Sequence, residues 1–153
     1  MRSSRVSLGA TTIVLADGWF DITDDLPEGS PYTLGKPDGV GVLQFSTAQF
    51  ESGNRPLIQT EDLRNLLTDF AQSRELGEPR SVSDGRGTHA FVCGDFGTDA
   101  ETVHIWYVSN GRDVVLATYL AQTSSDRRVA LELRDTAAMI SSLDFTNEPP
   151  PQR

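Results

Sequence analysis

Residues 103–109 and 113–121 flank Asn110-Gly111, the dipeptide that most strongly marks a tight β-hairpin, and this pair constrains everything else in the chain. A two-residue turn sets Val108 opposite Asp113, Tyr107 opposite Val114, Trp106 opposite Val115, Ile105 opposite Leu116 and His104 opposite Ala117. Side chains alternate along a strand and opposed residues share a face. One face then carries Val103, Ile105, Tyr107, Val114 and Leu116, and the other His104, Trp106, Val108, Val115, Ala117 and Tyr119. Both faces are apolar. A sheet wetted on one side alternates apolar with polar residues, so each side of this hairpin needs a cover.

Two amphipathic segments can supply it. Thr60 reads as an N-cap with Glu61 and Asp62 in the first turn, where the helix dipole favours anions. Leu63, Leu66, Leu67 and Phe70 follow at helical spacing, and Gly77 and Pro79 stop the helix. A second helix starts at Ser125 or Asp126 and runs to about Ser142, with Ala130, Leu133, Ala137 and Ile140 along one side and Leu143 and Phe145 anchoring its exit. The remaining strands are 11–16, 32–34 with 40–45 around Lys36-Pro37-Asp38-Gly39, and 80–82 with 89–96 around Asp84-Gly85. Pro and Gly at those turn positions fit type I geometry. The order predicts an α+β fold, a central antiparallel sheet with helices on both faces. Residues 11–146 form one domain, between a flexible start at 1–10 and a flexible proline-rich tail at 147–153.

The chain has 153 residues and a formal net charge of −9, which repels phosphate backbones and anionic lipid and suits a basic partner. The lone cysteine, Cys93, excludes an intrachain disulfide and a cysteine metal cage. No apolar stretch of signal-peptide or membrane-span length occurs, so the expectation is a soluble cytoplasmic protein. Walker A, H-E-x-x-H, G-x-S-x-G and C-x-x-C patterns are all missing. Gly85-Arg86-Gly87-Thr88-His89-Ala90 matches G-x-G-x-x-A, but between two strands, where it reads as a turn. No cofactor, metal site or catalytic group is expected.

Among individual residues, His104 beside Trp106 and Tyr119 reads as a packed histidine and, less favourably, as a general base. Cys93 reads as a small buried hydrophobe rather than a nucleophile. Asp17, Asp21, Asp24, Asp25 and Glu28 crowd the loop that also holds Trp19, Phe20 and Ile22. Its spacing does not fit a helix–loop–helix calcium site. In the plainer reading Trp19 and Ile22 plug the end of the sheet and the carboxylates are solvated. In the functional reading Trp19 and Phe20 anchor a protein partner that Asp21, Asp24, Asp25 and Glu28 steer.

Gly18-Trp19 after a first strand, the early hairpin, the mid-chain helix, the Asn110-Gly111 hairpin and the ending Met139-Ile140-Ser141-Ser142-Leu143-Asp144-Phe145 together resemble the PsbP-like α/β/α sandwich superfamily. That superfamily includes PsbP, a Mog-type Ran-binding protein and bacterial effector chaperones. The resemblance spans about residues 11–145 and implies binding or assembly work with no transferable active site. The expected function is therefore a non-catalytic bacterial protein-binding module, an immunity protein or chaperone for a toxin or secreted effector. The alternatives are a structural assembly factor of a larger complex and an enzyme using His104 or Cys93.

Overall fold

The computed structural model describes residues 4–9, 11–49, 58–86 and 88–145. Among the described residues, ten strands form two antiparallel sheets. The larger is built from β3 (Phe20–Asp21), β4 (Tyr32–Gly35), β5 (Gly41–Gln49), β6 (Ser81–Arg86), β7 (Ala90–Asp95), β8 (Thr102–Ser109) and β9 (Asp113–Ala121). Its spatial order is β3-β4-β5-β9-β8-β7-β6. The first predicted strand lies outside it: β2 (Thr11–Leu15) sits in a three-stranded sheet between β1 (Ser4–Leu8) and β10 (Asp144–Phe145). So the single sheet expected from the sequence is two, and residues 4–8 of the start read as flexible are a paired strand. The predicted tail at 147–153 lies outside the described residues.

The central hairpin differs from its predicted register by two residues. Ser109 opposes Val114, Val108 opposes Val115, Trp106 opposes Ala117 and His104 opposes Tyr119, so the loop is four residues, 110–113. The Asn110 side chain builds that loop by accepting from the Arg112 and Asp113 backbone N–H groups. An even shift leaves every side chain on its original face, so the two-faced pattern survives. Val103, Ile105, Tyr107 and Val114 belong to one apolar cluster, and Trp106, Val108, Val115, Ala117 and Tyr119 to another.

Each cluster has its own helix. The first, α1 (Thr60–Ser73), lies against β7 and β8 and buries Leu63, Leu67 and Ala71. Its N-cap is Gln59 rather than Thr60, and the Asp62 carboxyl group accepts the Gln59 N–H at 2.8 Å. Capped by Asp126, α2 (Arg127–Ser141) lies against β2, β5 and β9. Its buried residues are Val129, Glu132, Thr136, Met139 and Ile140, whereas Ala130 and Ala137 are exposed. The helix is thus rotated from the predicted stripe, because two of its inward positions carry polar residues.

Glu132 explains the rotation. Its side chain is 1% exposed and accepts three hydrogen bonds: Val40 N–H at 2.9 Å, Gly41 N–H at 3.0 Å and Tyr119 O–H at 2.7 Å. Burial and the Glu132 hydrogen bond raise the Tyr119 pKa and keep the phenol a donor. Glycine is required where this cluster meets the β4–β5 turn. A Cβ on Gly41 would stand 2.5 Å from Tyr119 Cζ, and one on Gly39 would stand 2.8 Å from Glu132 Oε2. Arg128 pins the same turn, donating to the Asp38 carbonyl at 3.0 Å while paired with Asp126.

Asp84-Gly85 is not the turn it was expected to be. Both residues lie inside β6, opposite Val92 and Phe91. A Cβ at Gly85 would approach the Phe91 ring to 3.0 Å, so this glycine serves cross-strand packing. The G-x-G-x-x-A match ends at Ala90, which opens a strand and not a helix, so it does not build a dinucleotide site.

Candidate functional site

Among the described residues, the face of the large sheet that carries α1 is covered by that helix over β7 and β8 and left open over its other strands. The register lines up Phe20, Gly35, Val42, Leu120 and Val103 as one row across five strands of that face. Phe20 is 55% exposed and Leu120 42% exposed. A groove of about 380 Å³ runs along this open half, floored by Val103, Ile105, Leu116, Thr118 and Leu120 and walled by Phe70 of α1 and by Arg74 and Leu76 after it. On the far side its border is Pro31, the last residue of the acidic loop.

That loop divides into structural and exposed residues. Trp19, predicted as a partner anchor, is 2% exposed in the core, where its indole N–H donates to Asp135 Oδ2 at 3.0 Å. A buried indole with a satisfied N–H is a packing element. The Asp21 carboxyl group accepts from the backbone and hydroxyl of Thr23 and so shapes the short 3₁₀ turn at Thr23–Asp25. Ile22 covers Gly35, where a Cβ would lie 3.1 Å from its methyl group. Phe20, Asp24, Asp25 and Glu28 remain on the surface. Of the six predicted partner residues, these four are free to meet another molecule; Trp19 is not, and Asp21 has an internal task. Leu120 and its groove are not legible in the sequence, because an apolar strand position looks the same covered or bare.

His104 and Cys93 come nearer to each other than their sequence separation implies. The register places Cys93 opposite Trp106 and Asp95 opposite His104, all on the face away from α1. His104 Nε2 lies 3.6 Å from Asp95 Oδ2, and its ring is tilted against Trp106 at 5.9 Å. The electrostatics oppose thiol catalysis. Burial, reinforced by the Asp95 charge, pushes the Cys93 thiol up to about 11, so it stays protonated at neutral pH. Alkylation of the folded chain by iodoacetamide at pH 7.5 is therefore expected to run about a hundredfold or more slower than for a free thiol, and to recover in urea.

Burial lowers the His104 pKa against a smaller opposing pull from Asp95. The unfolded chain then takes up this proton first, so His104 contributes a stability loss as pH falls below about 6.5. Urea midpoints at pH 7.5 and 5.5 should differ less in His104→Gln than in the parent.

No protein-family model matches the sequence, and no curated protein matches it either. Solved structures do. The solution structure of cyanobacterial PsbP (CyanoP) from Synechocystis sp. PCC 6803 is similar with a TM-score of 0.61 and 13% identity, over 94% of this chain and 92% of that one. A crystal structure from Bacteroides thetaiotaomicron is similar with a TM-score of 0.58 and 13% identity, over 91% of this chain and 46% of that one. The fold is therefore PsbP-like, a mixed architecture with, among the described residues, two α-helices on antiparallel sheets.

Proposed function

We propose that the chain is a non-catalytic protein-binding module of α/β/α sandwich form that receives a short apolar segment of a basic partner on its half-covered sheet face. One observation carries this reading: Phe20 and Leu120, both well exposed, share a cross-strand row beside the acidic loop. From Leu116 to Leu120 the floor runs about 13 Å, matching roughly nine residues of helix. An amphipathic helix with flanking Lys or Arg fits both the floor and the charge. The net charge of −9 supports fast encounter with such a partner and argues against nucleic acid and anionic membrane.

Within a bacterial cell this chemistry suits an immunity protein or a cytoplasmic chaperone for a basic toxin or secreted effector. Co-expression with the product of the adjoining gene tests it. The expected results are a stable complex and relief of any growth defect that product causes. Neither a complex nor relief would overturn the toxin or effector reading. Migration of the chain with a much larger assembly would favour the structural-assembly alternative instead.

A further inference from the structure

Among the described residues the large sheet ends at β6, on the side of α1 away from the proposed partner groove. Along an antiparallel ladder the backbone groups of successive residues point alternately to the two neighbouring strands. Phe96 donates its N–H to the Val103 carbonyl at 2.8 Å, beside β8, whereas the Asp95 carbonyl accepts the Arg80 N–H at 2.7 Å, on the β6 side. By the same alternation Cys93 and Phe91 also face β6, where Ser81, Ser83 and Gly85 oppose these three residues. Val82, Asp84 and Arg86 therefore aim their backbone N–H and C=O groups outward, and these groups meet no partner among the described residues.

The same three residues carry their side chains on the α1 face, opposite Gly94, Val92 and Ala90. All three are exposed, Val82 to 38%. Asp84 engages Arg64 of α1 through Oδ2 alone, and Arg86 makes no ion pair among the described residues. Val82 lines a groove of about 240 Å³ between β6 and α1, together with Leu67, Ala71 and Phe96.

We infer that the β6 edge takes an extended segment of a partner protein as an additional antiparallel strand, with an acidic, a basic and an apolar residue at alternate positions along it. This reading does not depend on the groove proposed above. Main-chain hydrogen bonds at Val82, Asp84 and Arg86 hold such a strand, and its alternate side chains give specificity. Opposed residues share a face. The acidic residue then meets Arg86, the basic residue meets Asp84, and the apolar residue lies opposite Val82 beside the groove. That groove exceeds the roughly 150 Å³ that holds benzene, so one Leu or Phe side chain fits it. The two charges also deter unmatched strands. A second copy is a poor match: the register that engages all three positions sets Asp84 against its own counterpart, and like charges directly opposed are destabilising.

The probe is the capped peptide Thr-Glu-Thr-Lys-Thr-Leu-Thr, added to the ¹⁵N-labelled full chain. The expected result is saturable binding that slows amide exchange at least about tenfold at Val82, Asp84 and Arg86. Exchange at Ser81, Ser83 and Gly85, which already face β7, should change little. Methylating the peptide's Glu, Lys and Leu nitrogens should weaken binding at least about tenfold, and reversing its sequence at least about fivefold. Arg86→Glu should weaken binding about threefold or more and prefer a peptide with Lys in place of Glu. No saturable binding, slowing spread evenly over both sets of amides, or equal affinity for the methylated or reversed peptide would overturn the added strand. Equal affinity of Arg86→Glu for the Glu and Lys peptides would overturn the charge pairing. Slowing that appears without peptide and rises with protein concentration would give the edge to a second copy and overturn the proposal.

Discussion

Replacing Glu132 by alanine is expected to destabilise the fold by about 3–5 kcal/mol, the range for removing one partner from a buried hydrogen-bonded charged or polar cluster. The substitution strands two backbone N–H groups, those of Val40 and Gly41, and the Tyr119 hydroxyl, at a site 1% exposed. None of the three can turn to water without opening the contact between α2 and the β4–β5 turn. For a chain of this length the loss corresponds to a fall in melting temperature of roughly 6–20 °C. Glu132→Gln should fall between parent and alanine, because an amide keeps one acceptor oxygen and sets an N–H₂ against a backbone donor. Tyr119→Phe combined with Glu132→Ala should cost less than the sum of the two, since they share one hydrogen bond. Thermal melts of the parent and the four variants check this. A Glu132→Ala loss below about 1 kcal/mol would show that the cluster does not hold the helix in place.

Trp19→Ala is expected to cost a similar 3–5 kcal/mol, the usual range for emptying a large aromatic side chain from a core. Trp19 packs in the cluster that unites α2, the small sheet and the inner face of the large sheet. Trp19→Phe should lose much less, chiefly the Asp135 hydrogen bond and part of the ring volume. Urea unfolding separates the two substitutions. The same pair distinguishes a core residue from a partner anchor: Trp19→Phe should leave the affinity of any partner complex unchanged, whereas Phe20→Asp should not.

The two hairpin faces are legible in the sequence although the register is not, because the two registers differ by an even number of residues. A shift from Val108 opposite Asp113 to Val108 opposite Val115 exchanges partners without turning any side chain over. The α2 stripe did not survive, and the cause is chemical. Glu132 and Thr136 point inward because Tyr119, Val40 and Gly41 supply donors for Glu132 and the Leu133 carbonyl accepts the Thr136 hydroxyl. Those partners lie far away in sequence or inside the helix backbone, so hydropathy spacing favoured Ala130 and Ala137 instead. Asp84-Gly85 misled for a related reason. A glycine needed to clear Phe91 carries the same letter as a glycine needed to turn the chain.

The acidic loop shows how far local reading reaches toward function. Its charge was plain, but composition does not separate Trp19, held by Asp135 in the core, from its neighbour Phe20 on the surface. Only the pairing of β3 with β4, and through β5 with β9, joins Phe20 to Leu120, 100 residues further along the chain. The loop is therefore one border of a surface whose floor comes from strands read simply as core.

The affinity of the chain for the adjoining gene's product, measured with the parent and with Phe20→Asp/Leu120→Asp, tests the central claim most directly. Both positions are exposed, so each substitution should change stability by no more than about 0.5 kcal/mol, and the melts serve as the control. The account predicts at least about a tenfold loss of affinity with an unchanged melting temperature, as expected when apolar contacts on the floor and border of an interface are replaced by charge. An affinity equal to the parent's would contradict it.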